Sequence, residues 1–321
     1  MFNYSRLSWG FVPFDIAKVR RISAHSKHFP LFRSQLLRHQ NEIATDSGQA
    51  PKICRKKMLK ENILLGIHTI CTNFAVMKRI AVFCVTFNSD KELENYKASL
   101  QKAVQKAEGK VSLDIFVSQN TKEDNPGYFG GIRRAMLQTD VTAYDYAIIS
   151  NVDLTVEEDF FAKLAAYDCT EDTGWIAPQI WSAQEGRDRN PKIMSRYSLK
   201  KLRILKAIFH FPPVWALKRA ITSRQKKGET YPAGEIYGGH GSFIILTKRY
   251  FERCGVIDYP VFLFCEEIWL AEQCKKAGLK VIYEPTLIVN DAEHASTGRM
   301  KLGYYCSLNE KALQYIIDTF Y

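Results

Sequence analysis

The sequence predicts an α/β protein with a mostly parallel central sheet flanked by helices, and three observations predict it. The run "RIAVFCVTF" (79–87) is continuously β-branched and aromatic, the mark of a strand buried on both faces. Such runs then alternate with segments of helical spacing as far as residue 181. Finally, 321 residues at 46% hydrophobic suffice for a large core. Alternation of this kind implies right-handed βαβ units, whose ligands bind beyond the carboxyl ends of the strands. The loops starting at Asn88, Ser118 and Asn151 therefore merit the closest reading.

The elements follow in order. "DKELENYKASLQKAVQKA" (90–107) carries helical spacing at Leu93, Tyr96, Leu100, Val104 and Ala107, and Gly109 ends it. "VSLDIFVS" (111–118) reads as the second strand and "GIRRAMLQT" (131–139) as a short helix. "YDYAIIS" (144–150) is the third strand, "VEEDFFAKLAAY" (156–167) a helix and "GWIAPQIW" (174–181) the fourth strand. From Lys192 to Lys227 the chain holds eleven Lys/Arg and no acid, with Leu199, Leu202 and Leu205 on one face of a basic amphipathic helix. Pro212-Pro213 breaks that helix. This stretch reads either as a solvated helix or as a docking segment for an anionic membrane face or an anionic acceptor. After Pro232 the compact pattern resumes with "GGHGSFIILTKRYFERCG", "KVIYEP" and "TLIVNDAEHAS".

Charge and cysteine usage limit the function classes. Residues 1–76 hold twelve Lys/Arg against four acids, so +8 of the net +11 lies in this leader. The main body carries only +3 and no recognisable nucleic-acid module, so a nucleic-acid partner is not expected. The leader is read as a basic N-terminal extension, disordered or a mis-called start, with a mitochondrial-type presequence as the sharper alternative. Its apolar stretch at 63–76 is too short and too polar to span a bilayer. Eight cysteines with no CxxC, several in apolar runs, read as free thiols in a reducing compartment. The expected location is the cytoplasm, peripheral to the inner face of the plasma membrane if 192–227 docks there.

Several stretches carry candidate chemistry. "NTKEDNPGYFGGIRRAM" (120–136) brings Gly127, Gly130 and Gly131 to a loop where backbone can approach a ligand, with Arg133 and Arg134 as phosphate partners. It does not spell GxGxxG and follows the second strand, so an NAD(P)-dependent oxidoreductase fits poorly. Asn151-Val152-Asp153 ends a buried strand; Asp153 suits either Mg²⁺ or Mn²⁺ on substrate phosphates or the cap of the next helix. "YGGHGSF" (237–243) offers glycines, His240 and Ser242, as a substrate contact or an ordinary turn. Glu266 and Glu267 stand side by side after Phe262-Leu263-Phe264. They suit the first turn of a helix, whose positive end favours ionised carboxylates, and they suit acid–base work. His294 follows the last strand among Asp291, Glu293 and Ser296.

From about Lys78 to Ser296 these spacings resemble the glycosyltransferase family 2 enzymes, most closely the rhamnosyltransferase-like branch of bacterial surface polysaccharide biosynthesis. "VTFN" (85–88), "NPGYFGGIRRAM", "NVD", "GGHGSFIILTKRYFERCGVID" and "FLFCEEIWLAEQCKKAGLKVIYEP" match the family's motifs in order. The resemblance implies a GT-A fold, with a nucleotide-sugar-binding half (77–185), a basic amphipathic insertion (186–232) and an acceptor and catalytic-base half (233–321). It implies donor contacts at Thr86, Asn88, Asn120, Asn125, Gly127, Gly130, Gly131, Arg134 and Asn151. Substrate contacts fall on Gly239, His240, Gly241 and Ser242, and metal on Asp153 and His294. It implies Glu267 as catalytic base beside Glu266, a nucleotide-sugar donor, and a glycan or lipid-linked glycan acceptor. The chain departs from the pattern at Ser118-Gln119-Asn120, where relatives read V-D-N, at Glu267, where Asp is usual, and at Trp269, where a second Asp often sits. A non-catalytic sugar-binding protein on the same fold is the alternative reading.

Overall fold

The computed structural model describes residues 77–222, 231–291 and 300–321. The leader, residues 223–230 and His294 lie outside the described residues. The described elements run β1 (Lys78–Thr86), α1 (Asp90–Lys106), β2 (Val111–Gln119), α2 (Tyr128–Met136) and β3 (Tyr146–Ser150). Next come β4 (Leu154–Val156), α3 (Phe160–Ala166), β5 (Thr173–Ser182), β6 (Arg187–Asp188), α4 (Leu199–His210) and α5 (Pro212–Thr222). The remainder is β7 (Gly234–Ile236), β8 (Phe243–Thr247), α6 (Lys248–Cys254), α7 (Glu266–Lys276), β9 (Lys280–Asp291) and α8 (Leu302–Phe320).

The fold is α/β, as expected: a mixed central sheet with helices on both faces. Its continuous path runs β2-β1-β3-β8-β5-β9-β4, with β6 and β7 attached to β5 and β9. Strands β2, β1, β3, β5 and β9 share one direction, because β8 is antiparallel to both β3 and β5 while β9 is parallel to β5. Strands β8 and β4 oppose that direction. The reversed β8 matters for function. Its first residue, Phe243, pairs with Ser150 at the carboxyl end of β3, so the 237–242 segment enters at the edge where β1, β2 and β3 end.

Alternation along β1 explains the two cores. Ala81 and Phe83 face Phe129, Ile132, Trp269 and Leu270, while Ile80, Val82 and Cys84 face Tyr96, Leu100, Phe160 and Phe161. A strand covered on both sides needs apolar residues at every position, as the "IAVFC" run supplies. The six cysteines among the described residues are free thiols.

Two elements beside the candidate site differ from the sequence reading. Helix α2 starts at Tyr128, three residues before the expected Gly131, because the Tyr128 N–H is taken by the Phe262 carbonyl at 3.2 Å. Strand β4 stands between Asp153 and α3, and the helix expected over 156–167 starts only at Phe160. The three residues of β4 are too few for a period-2 pattern to register.

Candidate functional site

The glycine loop is pinned from within. Asn120 is buried and its Nδ2 donates to Asn125 Oδ1 (3.0 Å) and to the Gly127 carbonyl (3.1 Å), while Asn125 Oδ1 also accepts from the Gly127 N–H. The Asn120 N–H donates to the Thr86 carbonyl at 2.8 Å, which ties the ends of β1 and β2 to this loop. Gly127 has φ +85°, and a Cβ there would lie 2.0 Å from the Phe262 carbonyl oxygen. Only glycine permits that approach, and the approach docks the loop against the segment bearing the acid pair.

That segment is strained. Phe264 (φ 76°) and Cys265 (φ 61°) are successive left-handed non-glycine residues immediately before α7. Each such conformation costs roughly 1–3 kcal/mol and persists only where the surroundings over-determine it. Here Glu266 Oε1 accepts the Phe264 N–H at 2.8 Å, and the Tyr259 hydroxyl donates to the Phe264 carbonyl at 2.7 Å. The kink aims the first turn of α7 at the 238–241 loop. Gly241 donates its N–H to Glu267 Oε1 at 3.2 Å, and the Tyr128 hydroxyl donates to the Gly241 carbonyl at 3.0 Å.

Burial separates the two glutamates. Glu266 is 7% exposed, and burial, then the neighbouring Glu267 charge, push its carboxyl up to about 8. At Glu266 desolvation works against the favourable helix end that the sequence suggested. Glu267 is half-buried.

Asn151 donates its N–H to the Ser242 carbonyl at 2.9 Å, which sets Asp153 at the same sheet edge. Asp153 is half-buried and followed by β4, so it does not cap a helix; Asp159 holds that position for α3. Burial pushes the Tyr128 hydroxyl well up, and both Glu266 and Asp153 add to the rise. Tyr128 therefore stands within electrostatic reach of the two acidic groups that the sequence reading had singled out separately.

His240 is held by its backbone, whose N–H donates to Asn190 Oδ1 at 2.7 Å. Its Nδ1 accepts the Ser242 N–H at 3.2 Å and faces the Ser242 hydroxyl at 2.9 Å. Burial, then Lys192, Arg189 and Arg187, hold its pKa well below the usual imidazole value. A neutral ring whose Nδ1 accepts must carry its proton on Nε2, so His240 is a fixed neutral donor.

Other expected contacts fall elsewhere. Arg134 of α2 pairs with Asp124 of the preceding loop at 2.8 Å, and Arg133 with Asp258 at 3.3 Å. Gly239 is buried on the sheet, where a Cβ would stand 2.6 Å from that of Ala177, so it serves packing. Gly130 and Gly131 lie inside α2; a Cβ on Gly131 would meet Val85 at 2.7 Å and Asn120 Oδ1 at 3.1 Å. Asn88 is exposed at φ 53° beyond β1. Sequence reasoning passed over Tyr128 and Asn190, which clamp the 240–241 backbone. The tyrosine's place directly after Gly127 was the available signal.

No protein-family model and no curated protein sequence matches the chain. Among solved structures, the chain is similar to the catalytic domain of a Drosophila β1,4-galactosyltransferase 7 in complex with xylobiose. The two are 13% identical with a TM-score of 0.41, over 70% of this chain and 74% of that one. It is also similar to GalNAc-T7 with UDP, GalNAc and Mn²⁺, at 13% identity and a TM-score of 0.47, over 76% of this chain and 48% of that one. A third is a mannosyltransferase from Pyrobaculum calidifontis in complex with GDP-Man and Mn²⁺, at 10% identity and a TM-score of 0.42, over 75% and 72%.

Proposed function

We propose that this chain is a GT-A-type glycosyltransferase of the family 2 kind, moving a sugar from a nucleotide-diphosphate donor to a glycan or lipid-linked glycan hydroxyl with inversion. The observation that carries the reading is the strained turn at Phe264-Cys265. It delivers Glu267 to the 238–241 loop, at the edge where the parallel strands end.

On this reading Glu267 accepts the proton of the acceptor hydroxyl while that oxygen bonds to the anomeric carbon. The bond from that carbon to the phosphate oxygen breaks in the same displacement, and the nucleoside diphosphate leaves with its electron pair. General base catalysis contributes roughly 10²- to 10⁴-fold. Glu266 fixes the Phe264 turn through its carboxylate oxygen, and a proton on it relieves the repulsion of two adjacent charges. The Asn120–Asn125–Gly127 clamp shapes the backbone on the donor side, and neutral His240 offers a donor hydrogen without adding charge.

We infer a divalent metal of the Mg²⁺ or Mn²⁺ kind held through Asp153 together with the donor, since among the described residues no group of three His, Cys, Asp or Glu could hold an ion by itself. Such ions take one or two protein carboxylates and complete their shells with phosphate oxygens and water, and Asp153 is a half-buried carboxylate at the strand edge. When bound, the ion would offset charge developing on the leaving diphosphate. The role proposed for His294 falls on a residue outside those described.

Thermal-shift screening with UDP-, dTDP- and GDP-sugars, each with and without Mn²⁺, tests the reading, followed by donor-hydrolysis and transfer assays. One donor class is expected to raise Tm only with metal present. A donor at about 100 times its Kd stabilises by about 2.7 kcal/mol. Absence of any shift overturns the reading; a shift without turnover assigns the chain to non-catalytic sugar binding.

A further inference from the structure

Among the described residues, helices α4 and α5 pack on their neighbours through one side only. Leu202 and Phe209 are buried in the core, and Trp215 packs on Phe209 (ring centroids 4.5 Å) and on Tyr305 (6.1 Å). The other side is apolar and open. On α5, Val214, Leu217 and Ile221 recur at helical spacing on one stripe, and Leu217 and Ile221 are 63% and 67% exposed. Ile204 on α4 is 51% exposed, and Phe211 between the helices is 58% exposed. A shallow groove lined by Lys200, Lys201, Ile204, Leu205, Ile208 and Lys218 joins the two helices.

Charge decides what could cover this face. From Lys192 to Lys227 the sequence has eleven cations and no acid. Among the described residues, Lys200, Arg203, Lys206 and Arg219 flank the apolar stripe, and no ion pair to any of them is found. Exposed apolar side chains bordered by cations suit a surface that is negative outside and apolar beneath, as an anionic bilayer is. The helices have 12 and 11 residues, too short to span a membrane, so the contact is with its surface.

We propose that the α4–α5 hairpin is a docking face for an anionic lipid bilayer, with Leu217 and Ile221 entering the headgroup boundary and the flanking cations meeting lipid phosphates. This inference stands on these residues and not on the reading of the site. The two are neighbours, however: Phe264, on the strained turn before the acid pair, packs against Tyr305 at 4.9 Å, and Tyr305 packs on Trp215 of α5. A docked molecule would hold its acid pair close to the membrane.

The test is co-sedimentation of the full chain with vesicles of phosphatidylcholine, alone or mixed with phosphatidylglycerol. The wild type is expected to bind the mixed vesicles and to be released by high salt. Leu217→Glu/Ile221→Glu and Lys200→Glu/Arg203→Glu should each weaken binding by about tenfold or more, with circular dichroism unchanged. Equal binding to both vesicle types, or undiminished binding by both variants, overturns the proposal. So does a wild-type dimer in sedimentation velocity that both variants convert to monomer without any vesicle binding, which assigns the face to a second copy.

Discussion

The Gly241 N–H points at Glu267 Oε1 from 3.2 Å, and a Cβ on Gly241 would stand 3.1 Å from the same oxygen. A backbone hydrogen bond thus holds the carboxylate in place without consuming its second oxygen. Glu267→Gln is expected to keep that bond while losing the proton acceptor. Transfer should fall by about 10²- to 10⁴-fold in single-turnover assays, with donor binding by thermal shift nearly unchanged. Turnover near the wild-type rate would remove Glu267 from the mechanism.

Glu266 makes stability depend on pH. Its carboxyl is pushed up to about 8 from an ordinary value of 4.5, so the folded protein binds more protons than the unfolded chain between those values. The group's contribution is complete below about pH 4.5 and is lost as pH rises through about 8. Glu266→Gln should flatten this fall and be the more stable protein at about pH 9, as read by urea unfolding. A wild-type curve that rises between about pH 6 and about pH 9 with no difference from the variant would contradict the assignment.

Asp153→Asn preserves size while removing the carboxylate charge. Mn²⁺ should then no longer raise Tm in the presence of donor, and transfer should drop by about 10²- to 10³-fold. Metal-dependent stabilisation equal to wild type would place the ion elsewhere.

Gly127→Ala must either clash with the Phe262 carbonyl or move the acid-bearing turn away. A loss of about 2–3 kcal/mol in denaturant unfolding is expected, together with lost transfer. Gly109→Ala is the control, since it shares a positive φ (+77°) but has open space around its Cβ position. Its cost should be the backbone strain alone, about 1 kcal/mol. Equal losses in the two variants would deny the special contact at Gly127.

Arg196 holds Glu272 through both oxygens, at 2.6 and 3.1 Å, and lies over the Tyr321 ring at 3.9 Å. Burial pushes the Glu272 carboxyl up, but the hydrogen bonds from Arg196 and Tyr237 outweigh it and leave the pKa lowered. That contribution is present above the ordinary carboxylate value and lost as pH falls through the lowered one. Arg196→Ala should cost about 3 kcal/mol at neutral pH, because it strands a buried charge, and much less in acid. An equal cost at both pH values would point to lost packing alone.

The sequence determined the sheet-forming runs, the main helices and the acid pair's place at a helix start. Those signals are local: "IAVFC" must be covered on both faces wherever it lies, and Leu93, Tyr96 and Leu100 make one helical face under any topology. Sequence pattern also drew attention to Asp153, the 237–243 segment and the glycine loop, each as a separate stretch. The tertiary structure decided which of them meet. The reversal of β8 brings the 237–242 segment to the edge where β1, β2 and β3 end, and the left-handed turn at Phe264-Cys265 swings Glu267 onto Gly241. It also assigned Arg134 to Asp124 and Gly239 to the sheet, and raised the Glu266 carboxyl by burying it. Apart from the Arg134–Asp124 pair, these outcomes depend on partners more than twenty residues away or on how much water a side chain keeps. Neither quantity is a property of local spacing, so only the folded chain could set them.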